Sequence, residues 1–141
     1  MKDGDLRTLF RVKFRDWQWT SVETAGTASG VPDSEFCTPY GVQGWIEFKL
    51  THINKVAIRP FQVAWLDRRC RYGGNAWIAV RRVPNSQREN GVDQLVLMSG
   101  NQAKALYEMG IEGTVRCEWN GGLGNWNWTE VSNILQGLQS I

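Results

Sequence analysis

Residues 44–51 have the sequence GWIEFKLT, in which polar and apolar side chains alternate. Because successive side chains of a β-strand point to opposite faces, this pattern predicts a strand with two different faces. One face carries Ile46, Phe48 and Leu50. The other face carries Trp45, Glu47, Lys49 and Thr51. We expect the first face to lie in a core, while the second places a carboxylate and an ammonium two residues apart, pointing the same way.

A helix and a second strand follow this segment. Pro60 suits the first position of a helix, and the pair Gly73-Gly74 suits its C-terminal end. Residues 76–80, with the sequence AWIAV, form a continuous apolar run that is typical of a strand covered on both faces. Strand, helix and buried strand in this order form a βαβ unit. We therefore expect strands 44–51 and 76–82 to be parallel, with a right-handed crossover.

The remaining elements are predicted from hydrophobic spacing and turn residues. Upstream, the pattern predicts a helix over 5–15 with Asp5 as its N-cap, and strands over 17–23 and 31–37. Downstream, it predicts a strand over 94–98, a helix over 101–109, a strand over 113–119 and a short helix from Thr129. Three tryptophans of this last part are expected to cap the core, with base stacking as an alternative. They are Trp119, Trp126 and Trp128.

The whole chain has the size and composition of one folded domain. It has 141 residues, 42% hydrophobic and 21% charged, which excludes a disordered composition. No apolar run approaches the ~20 residues of a membrane span, and the N-terminus lacks a signal-peptide pattern. Three widely separated cysteines exclude metal knuckles and a disulfide framework, and they fit a reducing cytoplasm. The single histidine, His52, argues against paired-histidine chemistry.

Charge is distributed unevenly along the chain. Residues 1–88 contain fourteen Lys and Arg against eight Asp and Glu, whereas residues 89–141 contain two against six. A local field of positive sign attracts a polyanion such as nucleic acid, although a solvated basic face is the alternative. The candidate DNA contacts are Arg7, Arg11, Lys55, Arg59, Arg68 and Arg69.

Asp33 and Glu47 fall on neighbouring predicted strands, and Lys49 shares the face of Glu47. Two carboxylates can hold Mg²⁺, which prefers hard oxygen ligands and keeps waters for hydrolysis of a phosphodiester. The backbone carbonyl of Phe48 is a candidate third ligand. Lys49 can contact the scissile phosphate or help to deprotonate the attacking water. The alternative is an exposed Glu47–Lys49 ion pair, with Asp33 as a turn residue.

This arrangement resembles the PD-(D/E)xK nuclease superfamily. Within it, the chain is most similar to the archaeal-type Holliday-junction resolvases and to small virus-type replication-repair nuclease domains. The resemblance covers about residues 5–83. The segments that carry it are GVPD at 30–33, WIEFK at 45–49, RPFQVAWL at 59–66 and GGNAWIAVR at 73–81.

The resemblance implies an α/β fold with a restriction-endonuclease-like core. In such a core a mixed central sheet is flanked by helices in the order αβββαβ, here followed by a C-terminal extension. The chain is then expected to be a single nuclease domain over 1–141, with its core at about 5–83 and the extension at about 90–141. Symmetrical cutting of a junction needs two active sites, which predicts a homodimer.

The implied activity is that of a Mg²⁺-dependent DNA endonuclease, with Mn²⁺ able to substitute, that resolves four-way junctions. A nuclease on other nicked, flapped or linear DNA, and a non-catalytic DNA-binding protein of the same fold, are the alternatives. No membrane and no small-molecule cofactor are expected. The implied setting is DNA recombination or repair in the cytoplasm, with a phage as one source of the gene.

Residue by residue, the resemblance implies that Asp33 and Glu47 ligate the metal and that Lys49 is the catalytic lysine. Gln62, in the first turn of its helix, would support the site or orient a water. Members of the superfamily often place another carboxylate in the first helix, and residues 6–15 contain none. Asp5, Asp16 or Glu23 can substitute. Glu23 is favoured as a further metal ligand because a strand end can face Asp33.

Overall fold

The computed structural model of the protein describes residues 3–22, 30–83 and 93–141. The helices are α1 (Asp3–Lys13), α2 (Pro60–Arg71), α3 (Ala103–Met109) and α4 (Trp128–Leu135). The strands are β1 (Gln18–Ser21), β2 (Ser34–Cys37), β3 (Gln43–Thr51), β4 (Ala76–Arg82), β5 (Gln94–Ser99) and β6 (Cys117–Trp119). Short 3₁₀ turns occupy Gly100–Gln102 and Ile111–Gly113. Within the described ranges, no helix is long and apolar enough to cross a membrane.

The strands form one mixed sheet in the order β1-β2-β3-β4-β5-β6. β3 and β4 are parallel, and every other neighbouring pair is antiparallel. The parallel pair is joined through α2, so the predicted parallel βαβ unit is confirmed. The predicted α/β fold class, with a mixed central sheet flanked by helices, is confirmed as well.

The two faces of the sheet build two separate cores, and β3 contributes to both. Ile46 and Phe48 lie in the core under α1 and α4, as the alternation predicts, and Phe48 meets Phe10 edge to face at 5.0 Å between ring centroids. Such a pair adds about 0.5–1.5 kcal/mol beyond the buried area. The opposite face, covered by α2 and α3, buries Ile78 and Val80. Glu47 and Lys49 therefore point toward a covered face of the sheet, beneath the start of α2.

The C-terminal third completes the sheet and the core instead of standing apart from them. β5 pairs with β4 along its whole length, and α4 contributes Val131, Ile134 and Leu135 to the core under α1. Trp126 is buried there, while Trp119 and Trp128 are partly buried against the same cluster. The expectation that these tryptophans cap the core is therefore confirmed.

Several predicted boundaries are wrong for identifiable reasons. α1 begins at Asp3, so Asp5 lies inside the helix and is not its N-cap. β2 begins at Ser34 because Pro32, which has no amide hydrogen, cannot take part in the ladder. The strand predicted over 113–119 is reduced to Cys117–Trp119. The segment before it forms the turn Ile111–Gly113, which is held in place because the Ile111 amide donates to the Asn54 carbonyl.

Candidate active site

Asp33 and Glu47 meet where β2 begins beside the middle of β3. Ser34 pairs with Ile46, so Asp33 lies opposite Glu47 on the covered face. The Asp33 amide donates a hydrogen bond to Glu47 Oε1 at 3.2 Å. The Phe48 amide and the Ser34 side chain lie close enough to the Asp33 carboxylate to lower its pKa. These contacts hold two carboxylates side by side.

Lys49 and Gln62 complete this cluster from β3 and α2. Lys49 Nζ lies 3.4 Å from Glu47 Oε2 and donates to Gln62 Oε1 at 3.2 Å. Gln62 Nε2 donates to Glu47 Oε2 at 3.2 Å, and Gln62 Oε1 also accepts from the Arg59 amide at 3.0 Å. Because Pro60 begins α2, Gln62 falls in the first turn of the helix, within reach of both charged groups.

The four side chains predicted to form the site are thus brought together, and the pair on β3 is buried. Glu47 is 5% exposed and Lys49 is 9% exposed, so the alternative of a solvent-exposed ion pair is wrong. A buried ion pair loses hydration on folding and is weak support for stability. The positions of these charges therefore point to chemistry at this site.

The electrostatics of the acidic pair follow from burial. The pKa of Glu47 is raised to about 7. Burial is the largest cause and the charge of Asp33 the next, while Lys49 lowers the pKa. Burial also raises the pKa of Asp33, and the Phe48 amide, the Ser34 side chain, Arg7 and Lys49 oppose that shift. Two neighbouring carboxyl groups with raised pKa values favour a bound cation, because it stabilises both charged forms.

The oxygen atoms of the pair fit a hard divalent cation. Asp33 Oδ1 is buried and accepts no hydrogen bond, although buried polar atoms are nearly always bonded. Carboxylate and carbonyl oxygens are the ligands that Mg²⁺ prefers. Within residues 3–22, 30–83 and 93–141, no group of three or more His, Cys, Asp or Glu side chains could hold a metal ion. The Phe48 carbonyl thus stays the predicted third ligand.

The predicted additional carboxylate is not found in the described ranges. Glu23 lies outside the described residues. Asp5 is exposed on α1, and Asp16 is exposed in the turn that follows it. What sequence reasoning missed is Ser34, which is fully buried and interacts with the Asp33 carboxylate. Its signal was a small hydroxyl residue at an inward-facing strand position directly after Asp33.

The predicted DNA-binding residues fall into two groups around this cluster. Arg7 is close enough to act on the charge of Asp33, and Arg11 Nη2 donates to Ser21 Oγ at 2.6 Å and lies 3.5 Å from Ser34 Oγ. Arg59 precedes α2 and Lys55 is exposed on the preceding loop. Farther along α2, Arg68 and Arg69 lie in its last turn.

Gly30 holds the loop before Asp33 against α2. It has a φ of +84°, and a Cβ atom there would overlap the carbonyl oxygen of Phe61. We expect Gly30→Ala to destabilise the protein by roughly 2–4 kcal/mol, combining left-handed strain with a backbone clash. Denaturant unfolding measures this loss. Gly41→Ala is the matched control, since Gly41 has a φ of +83° with open space around it, and should cost only about 1–2 kcal/mol. Equal losses in both variants would contradict the close packing at Phe61.

A mixed sheet with a central parallel pair, covered on both faces and carrying an acidic pair and a lysine, defines a restriction-endonuclease-like α/β fold. Among solved structures, the chain is similar to Hjc, a Holliday junction resolvase from the archaeal hyperthermophile Archaeoglobus fulgidus. The TM-score is 0.50 with 13% sequence identity, over 94% of this chain and 97% of that chain. No protein-family model and no curated protein matches the chain. The likeness confirms the predicted resemblance at the level of the fold.

Proposed function

We propose that this protein is a metal-dependent DNA endonuclease that cuts branched DNA, with a four-way junction as its substrate. The observation that carries the proposal is the cluster of Asp33, Glu47, Lys49 and Gln62, in which one carboxylate oxygen of Asp33 is buried without a hydrogen-bond partner. The likeness in fold to a Holliday junction resolvase supports the choice of substrate.

The residues of the cluster take distinct parts in hydrolysis. Asp33, Glu47 and the Phe48 carbonyl are the groups that would hold Mg²⁺ or Mn²⁺, which when bound supplies charge neutralisation on the phosphate and a more acidic water. Lys49 is fixed by Glu47 and Gln62, so its ammonium group is oriented before DNA arrives. There Nζ can contact a phosphate oxygen or take part in proton transfer from the attacking water. Gln62 positions Lys49 and Glu47 relative to each other.

The basic residues around the cluster suit the phosphate backbone of DNA. Arg7 and Arg11 lie beside Asp33 on one side, and Arg59 begins the helix that carries Gln62 on the other. We propose that these arginines, with Lys55, contact phosphates, which makes DNA affinity fall steeply with salt.

Residues 1–141 would act as a single nuclease domain, and paired cutting of a junction calls for a homodimer with two active sites. The proposed setting is DNA recombination or repair in the cytoplasm, and phage origin of the gene is part of the same hypothesis.

The test offers a labelled four-way junction, a linear duplex and a single strand to the wild-type protein and to Asp33→Asn. Each is incubated with Mg²⁺, with Mn²⁺ or with EDTA. We expect paired cuts in the junction that are lost in EDTA and in the variant. Cutting of every substrate would retain the nuclease and reject junction specificity. Binding without any cutting would contradict the enzyme and leave a DNA-binding protein of this fold.

A further inference from the structure

A cluster of aromatic rings and guanidinium groups lies on α2, beyond the acidic pair. Trp45 of β3 and Trp65 of α2 meet edge to face, with ring centroids 5.4 Å apart. The Arg69 guanidinium lies over both rings, 4.4 Å from the Trp65 centroid and 5.5 Å from that of Trp45. Arg68, the residue before Arg69, contacts Tyr72 one turn farther along. Its guanidinium lies 5.3 Å from the Tyr72 centroid and donates to the Tyr72 hydroxyl at 3.2 Å.

These side chains line a groove of about 270 Å³, which we call the aromatic groove; its walls are Trp65, Arg68, Arg69 and Tyr72. Its volume lies just below the range of sites for drug-sized ligands, which suits one flat ring system. Tyr72 is 70% exposed, so its ring is available to a ligand.

The positive charge of the aromatic groove is not neutralised. Arg71, in the same turn, is paired with Asp67 at 3.0 Å. In the described part of the chain, Arg68 and Arg69 form no ion pair with a carboxylate. Arg68 and Arg69 lie over these rings, and the ring of Tyr72 stays exposed. This surface matches a nucleotide, because a base can stack on the exposed ring while its phosphate meets the positive charge that no carboxylate pairs. An acidic peptide would use the charges alone and leave the rings without a partner.

The aromatic groove lies on the same side of α2 as Gln62, which contacts the acidic pair. Gln62, Trp65, Arg69 and Tyr72 recur at helical spacing and form one stripe along α2. The stripe begins where Gln62 contacts Glu47 and Lys49. From Gln62 to Tyr72 it extends ~15 Å, at 1.5 Å per residue. This length spans a few nucleotides of one strand.

We propose that the aromatic groove binds an unpaired nucleotide of the strand that is cut at the acidic pair, a few nucleotides from the scissile phosphate. The base must be unpaired, because in an intact duplex its faces are covered by neighbouring bases. The inference rests on the proposed nuclease function and narrows its substrate class to DNA with unpaired bases near the branch point.

The test measures binding in EDTA, where affinity is separated from cleavage. Fluorescence anisotropy compares a labelled single strand of thymidines with a fully paired duplex, for wild type, Tyr72→Ala, Tyr72→Phe and Arg69→Ala. Loss of one stacking contact should weaken single-strand binding by about 5- to 100-fold. For Tyr72→Ala, duplex binding should change by less than about 3-fold, and Tyr72→Phe, which keeps the ring, should bind as wild type does. Arg71→Ala, whose charge is already paired, and Tyr107→Ala on α3 are the matched controls.

Either of two results would assign the aromatic groove another role. Equal weakening for single strand and duplex would reduce the aromatic groove to a charged surface. A change in sedimentation of Tyr72→Ala without a change in DNA affinity would assign the surface to contact with a second copy of the chain. Failure of the groove and failure of the nuclease function give different results. If wild type cuts junctions while the variants bind single strands normally, only the proposed role of the aromatic groove is contradicted. If wild type binds single strands through the aromatic groove but cuts no DNA, only the proposed nuclease activity is contradicted.

Discussion

Replacing Lys49 by methionine is expected to lower the rate of DNA cleavage by about 10²- to 10⁴-fold, the range for loss of a positioned acid–base or electrostatic group. Methionine has a similar length and no charge, so it removes the ammonium group from Glu47 and Gln62 without leaving a large cavity. DNA affinity should change only a few-fold, because the arginines that we propose as phosphate contacts are left in place.

Single-turnover cleavage of a junction, together with anisotropy measured in EDTA, separates these two effects of the Lys49 variant. Lys104→Met, on the exposed surface of α3, is the matched control and should cut at the wild-type rate. A Lys49→Met protein that cuts within a few-fold of wild type would remove this lysine from the reaction. If circular dichroism shows that Lys49→Met is unfolded, Lys49→Gln replaces it, and the same loss of cleavage rate is expected.

The free energy of unfolding of the metal-free protein is expected to depend on pH through Glu47. The pKa of Glu47 is raised from 4.5 to about 7 in the folded protein, so between these values the folded state binds more protons than the unfolded state. The free energy of unfolding of the metal-free wild type should therefore fall as pH rises from about 4.5 to 7, and level off above it. A shift of this size corresponds to about 3 kcal/mol for one group. Asp33, whose pKa is raised as well, contributes in the same direction.

Glu47→Gln removes the titrating group, so the stability of wild type relative to this variant should decrease by about 3 kcal/mol over that pH window. Urea unfolding in EDTA at intervals between pH 4.5 and 8 measures this difference. Glu108→Gln, an exposed change on α3, is the control and should follow wild type. Wild type and Glu47→Gln curves that run parallel through the window would contradict the raised pKa.

Divalent metal should reverse the trend for wild type. The proposed metal site needs both carboxylates ionised, so stabilisation by Mg²⁺ should grow as pH rises through 7 and be much smaller in Glu47→Gln. Thermal unfolding with and without Mg²⁺ gives this result without any assay of activity. An equal stabilisation of both proteins would place the metal somewhere other than the acidic pair.

Local pattern was sufficient for much of the fold. The alternation over 44–51 determined a strand and the face on which each side chain lies, because side-chain direction in a strand has a period of two. Pro60 and the Gly73-Gly74 pair bounded α2, since proline fixes the first turn and glycine ends the last. A strand, a helix and an apolar strand in succession then led to the parallel pair β3 and β4.

Local pattern predicted β5, α3 and α4 but did not give the bounds of β6. β6 has only three residues, and its position depends on the turn held by Asn54, which is more than fifty residues distant in the chain. Such a segment carries too few residues for a periodicity to emerge, so its pairing with β5 is decided by contacts that are remote in sequence.

By itself the sequence determined which residues share a face: Glu47 with Lys49, and Gln62 in the first turn of a helix that returns over the strand. Only the tertiary structure decided that this face is buried and that Gln62 bonds to both charged groups. It alone also brought Trp45 beside Trp65 and Arg69. The physical reason is that side-chain direction follows from the local backbone, whereas burial, and with it the raised pKa of Glu47, depends on which distant segment packs over that face.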